Sequence, residues 1–285
     1  MAIGTVNNPT AFNVYSNYSK SSTGLQKSMS RLSSGVKGVE DDGAGVGISE
    51  RMRSQANSTG QARNNVENAI SVLQTADGWM QEISDSLNRM HELAIESNDA
   101  TKSDTDRTNI QAEFGALMSE ITRITESGGA AKFNGKDLLD GDMNTATQVG
   151  ADSGQTITLQ VTDLSGIMAG TTVASSVLST ASTANVTTVS TAGKASIMIS
   201  NLQTQIDDVG KARASVGGLQ SRFEHTRSGL LTYEDNIRSA ESKVRDVDMA
   251  RESSEMSKNQ ILSQVGNSML AQANSLSQGV LSLIG

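Results

Sequence analysis

Between Ala212 and Val247, eleven positions follow one another at alternating spacings of four and three residues. They are Ala212, Val216, Leu219, Phe223, Thr226, Leu230, Tyr233, Ile237, Ala240, Val244 and Val247, and only Thr226 departs from the apolar set. That spacing marks one face of a helix. A run of about 36 residues makes roughly 54 Å of helix at ~1.5 Å per residue. A second seam has no polar interruption: Val66, Ala69, Leu73, Ala76, Met80, Ile83, Leu87, Met90 and Ala94. A third reads Ile110, Phe114, Leu117, Ile121 and Ile124, and Ser103 or Asp104 is placed to cap it. Such seams demand long helices packed side by side. Pro9 is the single proline, so the strongest helix breaker is missing from the rest of the chain. Aromatic residues make up 3%. The helices must therefore pack through Leu, Ile, Val, Met and Ala, with methionine as filler.

The two ends share a texture. Residues 1–19 and 259–285 carry no charged side chain. Near the first end, Tyr15, Tyr18, Ser22, Leu25, Met29, Leu32 and Val36 alternate three and four apart. Near the second, Leu262, Met269, Leu276 and Leu283 recur every seven residues, with Ala273 and Val280 beside them. Both patterns predict coiled-coil seams. Gly266 and Gly279 each weaken the second helix by ~1 kcal/mol relative to alanine. Helices of this quality are marginal alone in water, so the ends are expected to become ordered against partners. Asn, Ser, Thr and Gln interrupt both ends, which excludes a membrane span. The first residues lack the basic and apolar regions of a cleaved signal. Export, if it occurs, is expected to use another route.

Between the helices the pattern changes. Residues 128–142 are glycine-rich and turn-like. Residues 147–161 read as strand, turn, strand, with Asp152-Ser-Gly154 as the turn and alternation from Thr156 to Val161. No charge appears from Leu164 to Gly193, and this stretch is read as a surface loop. The expected fold is mainly α: a long antiparallel helical rod with coiled-coil termini and a small β-hairpin insert. The expected segments are an inner helix over 1–38, rod helices over 39–141, the hairpin and Ser/Thr-rich loop over 142–195, a rod helix over 196–248 and an inner helix over 249–285.

Catalytic patterns fail one by one. His91-Glu-Leu-Ala-Ile95 begins like H-E-x-x-H but has Ile95 where the second histidine belongs, and His225 is far along the chain. Gly43, Gly45 and Gly47 do not match G-x-G-x-x-G, and Gly135-Lys136 is followed by Asp137 rather than Ser or Thr. There is no cysteine for a disulfide, a thiol nucleophile or most structural zinc sites, and no G-x-S-x-G elbow. Neither catalytic residues nor a cofactor nor a metal is expected. Glu82, Asp85, Arg89 and Glu92 read as a solvated face. The net charge is -8, and no basic cluster offers a footing for nucleic acid.

Several segments together carry a likeness. Leu32-Ser-Ser-Gly35, Asp41-Asp42-Gly-Ala-Gly-Val-Gly-Ile-Ser49, Ala62-Arg-Asn-Asn-Val-Glu-Asn-Ala-Ile-Ser71, Gln74-Thr-Ala-Asp-Gly78 and Leu87-Asn-Arg-Met-His-Glu-Leu-Ala-Ile95 resemble the N-terminal region of bacterial flagellins. Lys132-Phe-Asn-Gly135 is similar to that family's turn after the second rod helix. Met256-Ser-Lys-Asn-Gln-Ile-Leu262, Met269-Leu-Ala-Gln-Ala-Asn274 and Val280-Leu-Ser-Leu-Ile284 resemble its C-terminal region. The resemblance covers about 1–165 and 195–285. It departs in two places. The stretch from Leu32-Ser-Ser-Gly35 to Asp41 is two residues shorter than the common pattern, and residues 164–193 stand where many flagellins carry large outer domains.

The resemblance implies a short-form flagellin: a secreted, extracellular subunit of the bacterial flagellar filament, many copies of which assemble for swimming. It implies an inner tube built from the terminal helices, with Tyr15, Tyr18, Leu25, Met29, Leu32, Leu262, Met269, Leu276, Val280 and Leu283 in its seams. It implies type III export, an export chaperone on the C-terminal helices, and contacts with filament-cap and hook–filament junction proteins. It also carries over Arg89, Leu93 and Glu113 as residues presented to the animal Toll-like flagellin receptor. Membrane insertion is not expected. The Ser/Thr-rich loop offers hydroxyls for O-glycosylation at Thr171, Thr172, Ser175, Ser176, Ser179, Thr180, Ser182, Thr183, Thr187, Thr188, Ser190 and Thr191. Two other readings stay open: a hook–filament junction protein with similar ends, and a coiled-coil adaptor. An adaptor normally carries charges flanking its seams, which these ends lack.

Overall fold

A computed structural model describes residues 9–141, 143–165, 189 and 192–284, with the side chains of 9, 10, 192 and 276–284 excepted. Its described elements are α1 (Pro9–Ser34), α2 (Gly43–Ser97), α3 (Asp104–Thr125), β1 (Lys132–Phe133), β2 (Lys136–Asp137), β3 (Asn144–Gln148), β4 (Thr156–Gln160), α4 (Ala192–Arg245) and α5 (Met249–Ile284). The chain is mainly α, with two antiparallel strand pairs. It divides into two compact units: Met1–Ala56 with Asp235–Gly285, and Asn57–Glu234. Helices α2 and α4 contribute residues to both.

The second unit holds the main hydrophobic cluster. The whole Val66–Ala94 seam is buried there. It packs with Ile110, Phe114, Ile121 and Ile124 of α3 and with Val209, Ala212, Val216 and Phe223 of α4. α3 begins with a capping box. The Ser103 side chain accepts from the Asp106 amide, and the Asp106 carboxylate accepts from the Ser103 amide. The α4 seam extends further back than the heptad reading, to Ala195, Met198 and Leu202. It also loses its phase towards Tyr233. That ring is exposed, while the next residue, Glu234, is buried with its carboxylate 3.5 Å from the Arg63 guanidinium.

The predicted strand–turn–strand is the β3–β4 hairpin, with Gln148 opposite Thr156. Ile157 and Leu159 face inward, and the threonines between them face out. Gly154 closes the turn at φ +86°, in the left-handed region that suits glycine. The 132–137 stretch is also a hairpin rather than a plain turn. Phe133 pairs with Lys136 across Asn134-Gly135, both at positive φ (48° and 78°). Asn-Gly is the dipeptide that a two-residue primed turn favours. Val189, within the 164–193 stretch read as a surface loop, is instead fully buried. Its amide donates to Gln111 Oε1 at 2.6 Å, and its carbonyl accepts from the Ser97 hydroxyl.

In the first unit, α1 and α5 lie antiparallel. Arg31 meets Glu252, Gly24 meets Asn259 and Tyr18 meets Gly266, so positions descend α1 as they ascend α5. α1 stops where Gly35 turns left-handed (φ +73°) and its amide caps the Arg31 carbonyl. The chain then forms an antiparallel bridge, Val36 with Asp246, closed by Lys37 N–H to the Arg245 carbonyl and Val247 N–H to the Gly35 carbonyl. Asp42 caps α2 by accepting from the Gly45 amide at 2.7 Å, and Asp248 caps α5. The glycines of the 43–47 run thus open a helix. At Gly45 a Cβ would sit 2.2 Å from the Asp42 carboxylate.

The terminal helix pair as candidate assembly site

Heptad spacing makes α1 and α5 a pair, and the side chains decide which face each uses. On α5 the covered positions are Glu252, Met256, Asn259, Ser263, Gly266, Leu270 and Ala273, spaced four and three apart throughout. On α1 the covered positions include Ala11, Val14, Tyr18, Ser21, Leu25, Ser28 and Leu32 at the same spacing, with Gly24 and Arg31 beside them. The contact therefore mixes small and neutral polar groups with Val14, Tyr18, Leu25, Leu32, Met256 and Leu270. Glycine makes it close: a Cβ at Gly24 would stand 2.9 Å from Asn259 Nδ2, and one at Gly266 would stand 3.2 Å from Tyr18 Cβ.

The pair within one chain uses only part of the seam expected from sequence. Tyr18, Leu25 and Leu32 are half-buried in the pair, but Tyr15 is 59% exposed and Met29 56%. On α5, Leu262 and Met269 are exposed, together with Ile261 and Val265. Close approach at Gly24 and Gly266 favours a face that carries small residues among its larger ones, and a second apolar stripe is left on the flank. Leu276, Val280 and Leu283 continue that stripe in sequence, but their side chains lie outside the described set.

A charged clasp closes one end of the pair. Arg31 Nη2 and Nε reach both oxygens of Asp41, at 2.6 and 2.8 Å, and Nη1 lies 3.3 Å from each Glu252 oxygen. The bidentate hydrogen bond from Arg31 holds the Asp41 carboxyl below its usual range, helped by the Gly38 amide and by the positive charges of Arg31 and Lys27. The same contacts raise the Arg31 guanidinium. Nearby, Arg245 pairs with Glu50.

The receptor triplet does not form one surface. Arg89 and Glu113 are on the exterior, joined at 2.8 Å, with Glu92 at 3.1 Å from the same guanidinium. Leu93, at 2% exposure, belongs to the core. It follows Met90 and precedes Ala94, and the seam draws it inward. The carry-over of Leu93 as a presented residue is therefore corrected. The hydroxyls of residues 171–191 lie outside the described residues. Among the described residues, no group of acidic or histidine side chains is arranged to hold a metal, and no helix is long and apolar enough to cross a membrane.

The comparisons with known proteins are consistent over nearly the whole chain. Residues 6–145 match the bacterial flagellin N-terminal helical region and residues 199–284 the bacterial flagellin C-terminal helical region. A flagellin of Halalkalibacterium halodurans is 39% identical over 91% of each chain. The flagellin of Bacillus subtilis is 36% identical over 97% of this chain and 98% of its own. The crystal structure of Bacillus cereus flagellin aligns with a TM-score of 0.50 at 27% identity, over 59% of this chain and 88% of that one. A putative flagellar hook-associated protein from Vibrio parahaemolyticus aligns at TM-score 0.56 over 72% of this chain and all of its own, but at 12% identity this is a likeness of fold alone. Matched at both ends and along most of its length, the chain belongs to the bacterial flagellin family, a family of structural proteins that build the flagellar filament.

Proposed function

We propose that this filament subunit polymerises through the flank of its terminal helix pair. Ile261, Leu262, Val265 and Met269 on α5, with Tyr15 and Met29 on α1, seat against the same helices of neighbouring copies. One observation carries this reading. Within a chain the pair covers Tyr18, Leu25, Leu32, Met256 and Leu270 together with small and polar residues, while a second apolar stripe, Tyr15 and Met29 on α1 and Ile261, Leu262, Val265 and Met269 on α5, is left exposed. Burying a Leu or Met side chain is worth ~1.5–3 kcal/mol, and that gain is available only from another copy. The uncharged segments 1–19 and 259–285 would then present neutral polar groups to a central channel, past which an unfolded subunit slides without ionic trapping. Purified protein with Leu262→Asp or Met269→Asp should give no filaments by negative-stain microscopy, while parent protein gives long ones. Normal filaments from both variants would refute the reading.

The remaining partners follow from family membership. The subunit leaves the cell through flagellar type III export, held by a chaperone on α5 until then. It joins the filament under the cap complex, beyond the hook–filament junction proteins. The absence of cysteine suits that path, since no crosslink can jam an unfolded chain. The exterior Arg89–Glu113 pair is the surface offered to the animal Toll-like flagellin receptor, without Leu93. O-glycans on the Ser/Thr-rich loop would add mass outside the filament core, which intact-mass measurement reads directly.

A further inference from the structure

We infer that the Arg31 clasp sets the register in which α1 and α5 pair. Two long heptad helices whose contact repeats Ser, Gly, Asn and Ala among Leu, Met and Tyr at the same phases have little besides charge to distinguish one alignment from the next. A slip of seven residues keeps every helix phase intact. Small side chains give nearly the same contact after such a slip. Moved one way, Ser28 would meet Ser263, whereas Tyr18 would meet Ala273 instead of Gly266 and press against one added Cβ.

The clasp is different. Glu252 is a buried residue at 8% exposure, and Arg31 is the cation placed on its carboxylate. A slip of seven residues in that same direction puts Asn259 at the guanidinium and leaves the Glu252 carboxylate without its cation. A slip in the other direction carries Arg31 beyond Met249, the first residue of α5, and likewise leaves Glu252 without its cation. Separating a buried carboxylate from its partner is strongly unfavourable. A single charged site within an otherwise neutral seam is how coiled coils fix alignment. Asp41 anchors the guanidinium from the other side through two bonds. The stretch joining Gly35 to Asp42 delivers Asp41 ten positions from Arg31. Arg31 is thus a positioning residue for assembly. This holds within one chain, whether or not the apolar flank meets neighbouring copies.

The chain has no cysteine, so engineered pairs report alignment without background. In the full-length monomer, Ser21→Cys with Ser263→Cys lies between the Tyr18–Gly266 and Gly24–Asn259 contacts and reads the native register. Ser21→Cys with Leu270→Cys, and Ser21→Cys with Met256→Cys, read the two one-heptad slips. With Arg31 present, the native pair should oxidise at least tenfold faster than either slipped pair. In Arg31→Met the ratio should fall towards unity, with Arg31→Lys between. Arg31→Met with Glu252→Met removes the buried charge, so it should restore fast crosslinking yet spread it over native and slipped pairs. An unchanged ratio in Arg31→Met overturns the inference. So does a double variant that crosslinks only in the native register, since packing would then suffice. Loss of all crosslinks in both variants would also overturn it, by showing that the clasp holds the helices together without choosing their alignment.

Discussion

Tyr18 lies on the bare backbone of Gly266. A Cβ at that glycine would stand 3.2 Å from both Cβ and Cδ2 of the tyrosine. Gly266 therefore has a role that helix propensity alone does not reveal. In an unpartnered helix Gly→Ala stabilises by ~1 kcal/mol. Here the added carbon must push Tyr18, and with it α1, outward. Gly266→Val should abolish filaments seen by electron microscopy, and Gly266→Ala should slow their growth. Tyr18→Ala should recover part of the loss in a double-mutant cycle. Filaments of normal length from Gly266→Val would disprove the contact.

That contact also shows what the sequence could and could not reveal. The seams of α2 and α3 were legible because their inward faces are apolar and unbroken from Val66 to Ala94 and from Ile110 to Ile124. The pairing of α1 with α5 was legible as heptads, but its phase was not. Hydrophobicity pointed to Tyr15, Met29, Leu262 and Met269, whereas close approach favoured Ser21, Ser28, Ser263 and Gly266. Spacing counts apolar residues and does not weigh the distance between helix axes. Leu93 came with the resemblance rather than from spacing; in the structure it stands beside Ala94 on a broad buried face. Asn134-Gly135 did carry a hairpin signal, hidden among other glycines. Glu234 was invisible because its burial depends on Arg63, 171 positions earlier.

The second unit should resist changes at its surface and fail when its centre is hollowed. Phe114 and Leu87 are fully buried in one cluster. Phe114→Ala is expected to cost ~3–5 kcal/mol and Leu87→Ala ~2–5 kcal/mol. Tyr15→Ala, on the exposed flank of α1, should leave monomer stability nearly unchanged. Urea titration of monomers followed by circular dichroism measures all three. Equal costs at Leu87 and Tyr15 would contradict the assigned core.

Acid should loosen the clasp through Asp41. Its carboxyl lies below the ordinary value of 3.8 in the folded chain, chiefly because Arg31 donates to it. A carboxyl lowered on folding binds fewer protons when folded than when unfolded. Its stabilisation is thus complete above about 3.8 and is lost as pH falls through the folded value. Crosslinking between Ser21→Cys and Ser263→Cys, started from samples equilibrated across that range and oxidised under matched conditions, should weaken towards low pH. Asp41→Asn should start weaker and change less. Identical acid profiles for the two proteins would remove Asp41 as the sensing group.

Arg89 enters any external contact already occupied. Glu113 and Glu92 raise its guanidinium and engage three of its nitrogens. A receptor must supply acceptors that compete with them at a well-solvated site, where such pairs are individually weak. Arg89→Ala monomer should lose most of its signal in a reporter-cell assay for the Toll-like flagellin receptor. Glu92→Gln, which frees one nitrogen, should keep it. A full signal from Arg89→Ala would place recognition elsewhere.

Removing residues 259–285 should separate folding from assembly. The deletion takes the Asn259, Ser263, Gly266, Leu270 and Ala273 face from α1 and the whole Leu262–Met269 flank from neighbouring copies. It touches none of the main cluster, whose buried members run from Val66 to Phe223 within the second unit. α1 would retain only the clasp with Glu252 and the contact with Met256. That is too short a helical partner to order it, since short helices in water are marginal. The truncated chain should therefore keep the helical circular dichroism of the second unit and a cooperative urea transition. It should lose ellipticity from both terminal helices and form no filaments at any concentration where the parent does. Filaments of normal diameter from the truncated chain would show that assembly does not depend on α5. Loss of the cooperative transition would show instead that the second unit needs the terminal pair in order to fold.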